Sequence, residues 1–207
     1  PSQDMVLGCY YLTNARKGDI GEGKFFGSFQ EAILACENGK VGLHAIVNVR
    51  HNSKWYKNTT VGKIIFNSIL PEEMEYSDAV ITKKNLGEII NQCYLIAGNQ
   101  KTVIYLDKLK KLGFDSATRG GCSVSISDIL IPSKKDEILK DAFKDVAGIQ
   151  QKFKDHILTD GERYNKVIDI WTHATNDVAK SMMDDLQKDQ DGFNPVFMMA
   201  DSGARGT

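Results

Sequence analysis

Between residues 133 and 188, apolar positions recur at spacings of three and four, twice over. Ile138, Ala142, Val146, Ile149 and Phe153 form one stripe; Tyr164, Val167, Trp171, Ala174, Val178 and Met182 form a second. That period puts each set on one face of a helix. A polar break near residues 156–160 lets the second helix fold back on the first, so the pattern predicts an antiparallel helical hairpin. Arms of about 20 to 25 residues project roughly 30 Å at 1.5 Å per residue. Ser133 with Asp136, and Thr159 with Glu162, have the spacing of capping boxes, in which a hydroxyl and a carboxylate each satisfy a free backbone amide.

The pattern upstream is mixed. Residues 4–13 (DMVLGCYYLT) are apolar without a deciding period and read as helix or strand. Residues 16–24 form a Gly-rich turn. Ser28 with Glu31 opens a helix that carries Phe29, Ile33 and Cys36 on one face, and Gly39 stops it. Alternation of Val41, Leu43, Ala45, Val47 and Val49 predicts a half-buried strand over 41–50. Residues 51–58 read as a loop or hairpin connection, and 59–66 as a second β-rich run, with Pro71 closing the short segment after it. Two helices follow, 82–98 (Leu86, Ile89, Ile90, Cys93, Ala97) and 102–113 (Val103, Leu106, Leu109). Lys108, Lys110 and Lys111 sit in the last turn, where the helix dipole favours cations. Residues 123–131 alternate again, as a strand. The expected class is α+β, with a compact mixed module over 1–130. Residues 131–207 then carry the long antiparallel hairpin, about 133–188.

Composition narrows the function classes. The 207 residues are 42% hydrophobic and 26% charged, ordinary for a soluble domain. With 26 basic against 27 acidic residues the net charge is -1, without the basic excess of an autonomous nucleic-acid binder. The hairpin alone has ten basic and eleven acidic residues, 10 − 11 = −1. Such a balance suits a protein-docking post, or a coiled coil that only stiffens its domain, better than a phosphate tracker. Cys9, Cys36, Cys93 and Cys122 form no CxxC pair, and His44, His51, His156 and His173 lack ligand spacing. They read as reduced, packed thiols in a cytosolic protein and as no metal site. No apolar run reaches the length of a membrane span.

Two further motifs carry candidate chemistry. Gly18 to Lys24 fits the phosphate-loop pattern GxxxxGK, but Phe25 stands where Ser or Thr must hold magnesium, and no apolar strand runs into Gly18. A surface turn is the expectation. In residues 198–206 (MMADSGARG), small residues allow close backbone approach, and the fixed fork of Arg205 suits a triphosphate. The competing reading is an exposed arginine in a C-terminal tail.

The stretches ILTDGERYNKVIDIW (157–171) and GFNPVFMMADSGARG (192–206) resemble the β′ (largest catalytic) subunit of bacterial RNA polymerase. PSQDMVLGCYYLT, GKVGLHAIVNVR, TTVGKIIFNSILP and DKLKKLGFDSATRGGCSVSISDILIP extend the resemblance over nearly the whole chain in the family's order. Cys9 and Cys122 stand where the family usually has aliphatic or small residues. The resemblance implies a secondary-channel pore module over 1–130 and a funnel module over 131–207. The funnel would hold the rim hairpin and a segment, 192–207, close to the incoming nucleotide.

It further implies that the chain lines the channel through which nucleotides enter and backtracked RNA leaves. Gre-type and DksA-type factors would dock at Leu158, Thr159, Asp160, Glu162, Arg163 and Tyr164. Arg205 would meet the nucleotide's phosphates, with Met199 close by. The family's NADFDGD motif, whose aspartates hold magnesium, is not in this chain, nor are its zinc-binding cysteines. Catalytic residues, magnesium and zinc are therefore expected on parts of the subunit outside this chain, and templated RNA synthesis only in the intact enzyme. Other polymerase subunits, nucleoside triphosphates and the RNA 3′ end are the implied partners, with no membrane, in the bacterial cytoplasm on the nucleoid. A start at Pro1 and a stop at Thr207 read as a piece of a longer chain. The alternative is a free-standing adaptor that uses the hairpin only to bind proteins.

Overall fold

The computed structural model describes residues 1–51 and 53–206. The fold is α+β and divides into two compact units. One comprises Pro1–Val124 together with the chain from Asp191 onward, and the other is Ser125–Gln190.

The first unit contains helix α1 (Asp4–Thr13), strand β1 (Phe25–Phe26), helix α2 (Phe29–Glu37), strands β2 (Ile46–His51) and β3 (Lys54–Thr60), and helices α3 (Val61–Ser68) and α4 (Lys83–Gly120). Its sheet runs β1-β2-β3, with β1 parallel and β3 antiparallel to β2, and an irregularity between Val47 and Val49. Ala32, Val41, Val47, Val49, Val61 and Ile64 form a core between α2, α3 and the sheet. A second core joins Val6, Cys9 and Leu12 of α1 to Phe66 of α3 and to Leu86, Ile89, Cys93, Tyr105 and Leu109 of α4. Burial pushes the Cys9 thiol up to about 12, so it packs as an inert apolar group.

Residues 4–13, undecided between helix and strand, are helical. Their near-continuous burial erases the period that would have told the two apart: Val6, Leu7, Gly8, Cys9, Tyr10, Leu12 and Thr13 are all buried. Gly8 is required by contact. A Cβ there would lie 1.9 Å from the Gly113 carbonyl oxygen, so α1 and α4 cross backbone to backbone. The two helices expected over 82–98 and 102–113 are both present, joined through Gly98, whose φ of 79° and ψ of 174° break the helical path as only glycine does readily. The second runs on to Gly120 and ends at Gly121 in the left-handed conformation.

Three strand expectations are corrected. The strand over 41–50 starts at Ile46, because residues before it turn: the Gly42 amide donates to the Ile20 carbonyl and the Ala45 amide to that of Gly42. The run 59–66 is the end of β3 followed by α3. The Thr60 hydroxyl accepts from the Lys63 amide and starts a helix, whose β-branched residues are buried toward both cores and so show no period. Residues 123–131 pair with no strand among the described residues. They form one 3-10 turn, Ile126–Asp128, closed by a Ser125–Asp128 capping box, with Ile126 91% exposed.

The second unit holds the hairpin, α5 (Lys135–Lys154) and α6 (Asp160–Lys188). Ala142, Ala174, Ser181 and Leu186 are buried, and the Trp171 ring meets Phe143 edge-on at 5.1 Å. Ser133 does not cap α5. Lys134 holds that position, and the Ser133 amide instead donates to Asp185 Oδ2 at 2.8 Å, tying the start of one arm to the end of the other. Tyr164 lies outside the packed stripe, 60% exposed, because Arg163 takes the inward place beside Phe153.

Candidate functional site

The hairpin tip is built by local chemistry. After α5, His156 adopts φ 60° and the Ile157 amide donates back to the Lys152 carbonyl at 2.9 Å, reversing the chain. Thr159 and Glu162 then form the expected capping box. The Thr159 hydroxyl accepts from the Glu162 amide at 3.3 Å, and Glu162 Oε2 accepts from the Thr159 amide at 2.9 Å and from its hydroxyl at 2.8 Å. These bonds, the backbone one first, hold the Glu162 carboxyl below its ordinary range.

Arg163 Nε and Nη2 both donate to Asp160 Oδ1, at 3.1 and 2.7 Å, while its guanidinium lies 5.2 Å from the ring centre of Phe153 on the opposite arm. Of the six tip residues singled out in the sequence, Thr159, Asp160, Glu162 and Arg163 are thus engaged in bracing the turn. Leu158 is half-buried. Tyr164 presents its ring to solvent, as do Ile168 one turn further along α6 and Ile157 in the turn, 47% and 67% exposed. Ile157 and Ile168 escaped the sequence reading, which had no means of telling an outward apolar residue from an inward one this close to a helix end.

In the first unit, helix α7 (Pro195–Asp201) is capped by the buried Asn194, whose Oδ1 accepts from the Val196 and Phe197 amides. Phe193 and Met198 pack on Leu7 and Tyr10 of α1, with Met199 against the same cluster. The Tyr10 hydroxyl donates to Asp201 Oδ2 at 2.7 Å; burial first, then that carboxylate, raises the phenol's pKa. The buried Ser202 accepts the Lys83 amide on its carbonyl at 2.9 Å, fastening the segment to the first turn of α4. Past Gly203, with φ 70°, the Arg205 amide donates to the Met199 carbonyl at 3.1 Å.

The structure therefore brings Met199 and Arg205 together through the backbone. The Arg205 side chain is half exposed and donates from Nη2 to Asp4 Oδ1 at 3.1 Å. Exposed Lys83 and Lys84 flank a shallow depression that Ser202 and Gly203 complete. Asp4 and Tyr10 lie about two hundred residues from their partners, and nothing local in the sequence marks them.

The Gly18–Lys24 turn offers no phosphate cradle. The Gly18 amide donates to Glu22 Oε2, the Ile20 amide to Asp19 Oδ1, the Gly23 amide to the Ile46 carbonyl, and Lys24 Nζ to the Lys40 carbonyl. The donors a phosphate would need are taken by the chain's own oxygens. Among the described residues no group of three or more His, Cys, Asp or Glu side chains could hold a metal ion, and no helix is long and apolar enough to cross a membrane.

Comparison with known families places the chain as a whole. The family model for RNA polymerase Rpb1, domain 3, matches residues 1–129, and that for RNA polymerase Rpb1, domain 4, matches residues 158–207. The chain belongs to the β′ (Rpb1) family of RNA polymerase subunits. It is 48% identical over 206 residues to the DNA-directed RNA polymerase subunit β′ of Pelotomaculum thermopropionicum, covering 100% of this chain and 17% of that protein. To the β′ subunit of Chlorobaculum tepidum it is 41% identical over 240 residues, 100% of this chain and 16% of the relative. To that of Aquifex aeolicus it is 42% identical over 216 residues, 100% and 14%. The chain thus spans about one sixth of the β′ relatives it matches. The β′ resemblance of both the hairpin and the Met199–Arg205 segment is carried by whole-chain similarity, and their geometry sets what each can do.

Proposed function

We propose that the chain is the part of a β′ subunit that lines the secondary channel, with its hairpin as a docking post and its C-terminal segment beside the incoming nucleotide. The observation that carries the docking role is the tip itself. Its polar residues are consumed in bracing the turn, which leaves Ile157, Tyr164 and Ile168 outward on a rigid support. Gre-type and DksA-type factors are the proposed partners, together with the other polymerase subunits.

The nucleotide role rests on Arg205. Its guanidinium is carried by a segment pinned at Tyr10 and, through the Ser202 carbonyl, at Lys83, and its ion pair with Asp4 is exposed, hence weak and exchangeable for a phosphate. In the intact enzyme the RNA 3′-hydroxyl attacks the nucleotide's α-phosphate and pyrophosphate leaves. Magnesium and zinc would be held by residues outside this chain, and the site of action would be the bacterial cytoplasm, on the nucleoid.

Polymerase assembled with Arg205→Ala in β′ tests the nucleotide role. The expected result is a raised KM for nucleotides, by about tenfold for one lost charge-assisted contact; unchanged kinetics at limiting nucleotide would overturn it. For docking, Tyr164→Ala with Ile168→Ala should weaken factor-stimulated transcript cleavage while leaving elongation intact. Equal stimulation of variant and wild type would sink that assignment.

A further inference from the structure

The first unit carries an aromatic surface that shares no residue with the Met199–Arg205 segment. A cleft of about 790 Å³ opens between the start of α2, the β2–β3 hairpin and the segment joining α3 to α4. Four rings line it. Phe29 stacks on His51 at 4.1 Å and 10°, and meets Tyr56 and Tyr76 at 5.5 and 5.6 Å, while Tyr56 and Tyr76 lie 4.4 Å apart. The Tyr76 hydroxyl is anchored to that of Thr59 at 2.6 Å, so the wall is held in place. Each ring is only partly buried.

Glu72 and Glu75 line the same cleft and are exposed. Their neighbour Glu73 pairs with Lys101, whereas Glu72 and Glu75 make no ion pair among the described residues. A cation of the chain's own already visits this wall: Lys54 Nζ lies 5.5 Å over the Tyr56 ring.

We propose that this cleft receives an arginine side chain presented by a partner protein. Ring faces attract cations through their quadrupole, and two uncompensated carboxylates raise the preference for positive charge. Arginine fits better than lysine because its planar guanidinium stacks on a ring and still offers a fork to a carboxylate. The same carboxylates repel phosphate, which disfavours the other common occupant of an aromatic wall, a stacked nucleobase. This binding is independent of the polymerase role proposed above.

Titration of the 207-residue chain with N-acetyl-arginine amide tests it, read from the ring-proton shifts of Phe29, Tyr56 and Tyr76. Saturable shifts are expected. N-acetyl-citrulline amide, of the same shape without the charge, should bind about fivefold more weakly, the worth of one cation–π contact. The surface variant Glu72→Gln with Glu75→Gln should lose affinity for the arginine probe to a similar extent while its thermal melt stays unchanged. Absence of saturable shifts, equal affinity for citrulline, or a double variant that binds as well as the wild type would each overturn the proposal. So would tighter binding of a mononucleotide than of the arginine probe, which would make the wall a base platform.

Discussion

The guanidinium of Arg163 on one arm of the hairpin lies 5.2 Å from the ring centre of Phe153 on the other. It joins the two arms at the tip, while the fork to Asp160 fixes the guanidinium from within its own arm. Arg163→Ala should cost about 1 kcal/mol, the worth of a partly exposed cation–π pair. Amide exchange measured residue by residue should speed up over 155–163 and stay unchanged near Ala174. Protection equal to wild type at the tip would show that the turn holds without this contact.

Glu162 gives the tip an acid dependence. Its folded pKa is depressed, so its contribution is fully present above the unfolded glutamate range and is lost as pH falls through the folded value. Tip protection should therefore decline on acidification in the wild type. Glu162→Gln should show lower protection at neutral pH and little further loss in acid. A wild-type tip indifferent to acid would count against the capping box as a stabiliser.

In the first unit the close crossing of α1 and α4 permits no side chain at Gly8. Gly8→Ala must push the helices apart, and we expect a loss of about 3 kcal/mol, the upper range for overpacking. Thermal unfolding followed by circular dichroism would record it. An unshifted midpoint would mean that the helices can slide without penalty.

His44 adds a second pH dependence. Burial, the largest cause, lowers its pKa; the bond to the Asn14 carbonyl, next in size, opposes it, followed by Arg16, which lowers it, and Asp19, which raises it. Its Nδ1 faces that carbonyl at 3.1 Å, whereas Nε2 is buried with no hydrogen-bond partner among the described residues, and the ring packs against those of Tyr11 and Phe193. A depressed folded value means that the stability is present above the ordinary 6.5 and is lost as pH falls from there through the folded value. His44→Phe should flatten the melting temperature across that window.

What the sequence revealed follows the range of the forces involved. The Thr159–Glu162 box was legible because its bonds span three residues, and Gly98 was legible as the boundary between two helical stripes. The strand expected over 123–131 failed because alternation is only half of a strand; the other half is a partner edge, which the described residues do not supply. Helix α3 was misread for a related reason, since Val61 and Ile64 pack on one core and Phe66 on another. At the candidate site, the proximity of Arg205 to Met199 was foreseeable, whereas its tether to Asp4 and the Tyr10–Asp201 bond join residues 201 and 191 positions apart. Such pairs are set by how the helices pack, which no local pattern encodes.

The first unit is left at Val124 and rejoined at Asp191, and its C-terminal residues close on α1, near where the chain began. In folding terms the hairpin is an insertion. The first unit closes only once the stretches on either side of Ser125–Gln190 have met, and the entropy of that closure grows only slowly with the length between them.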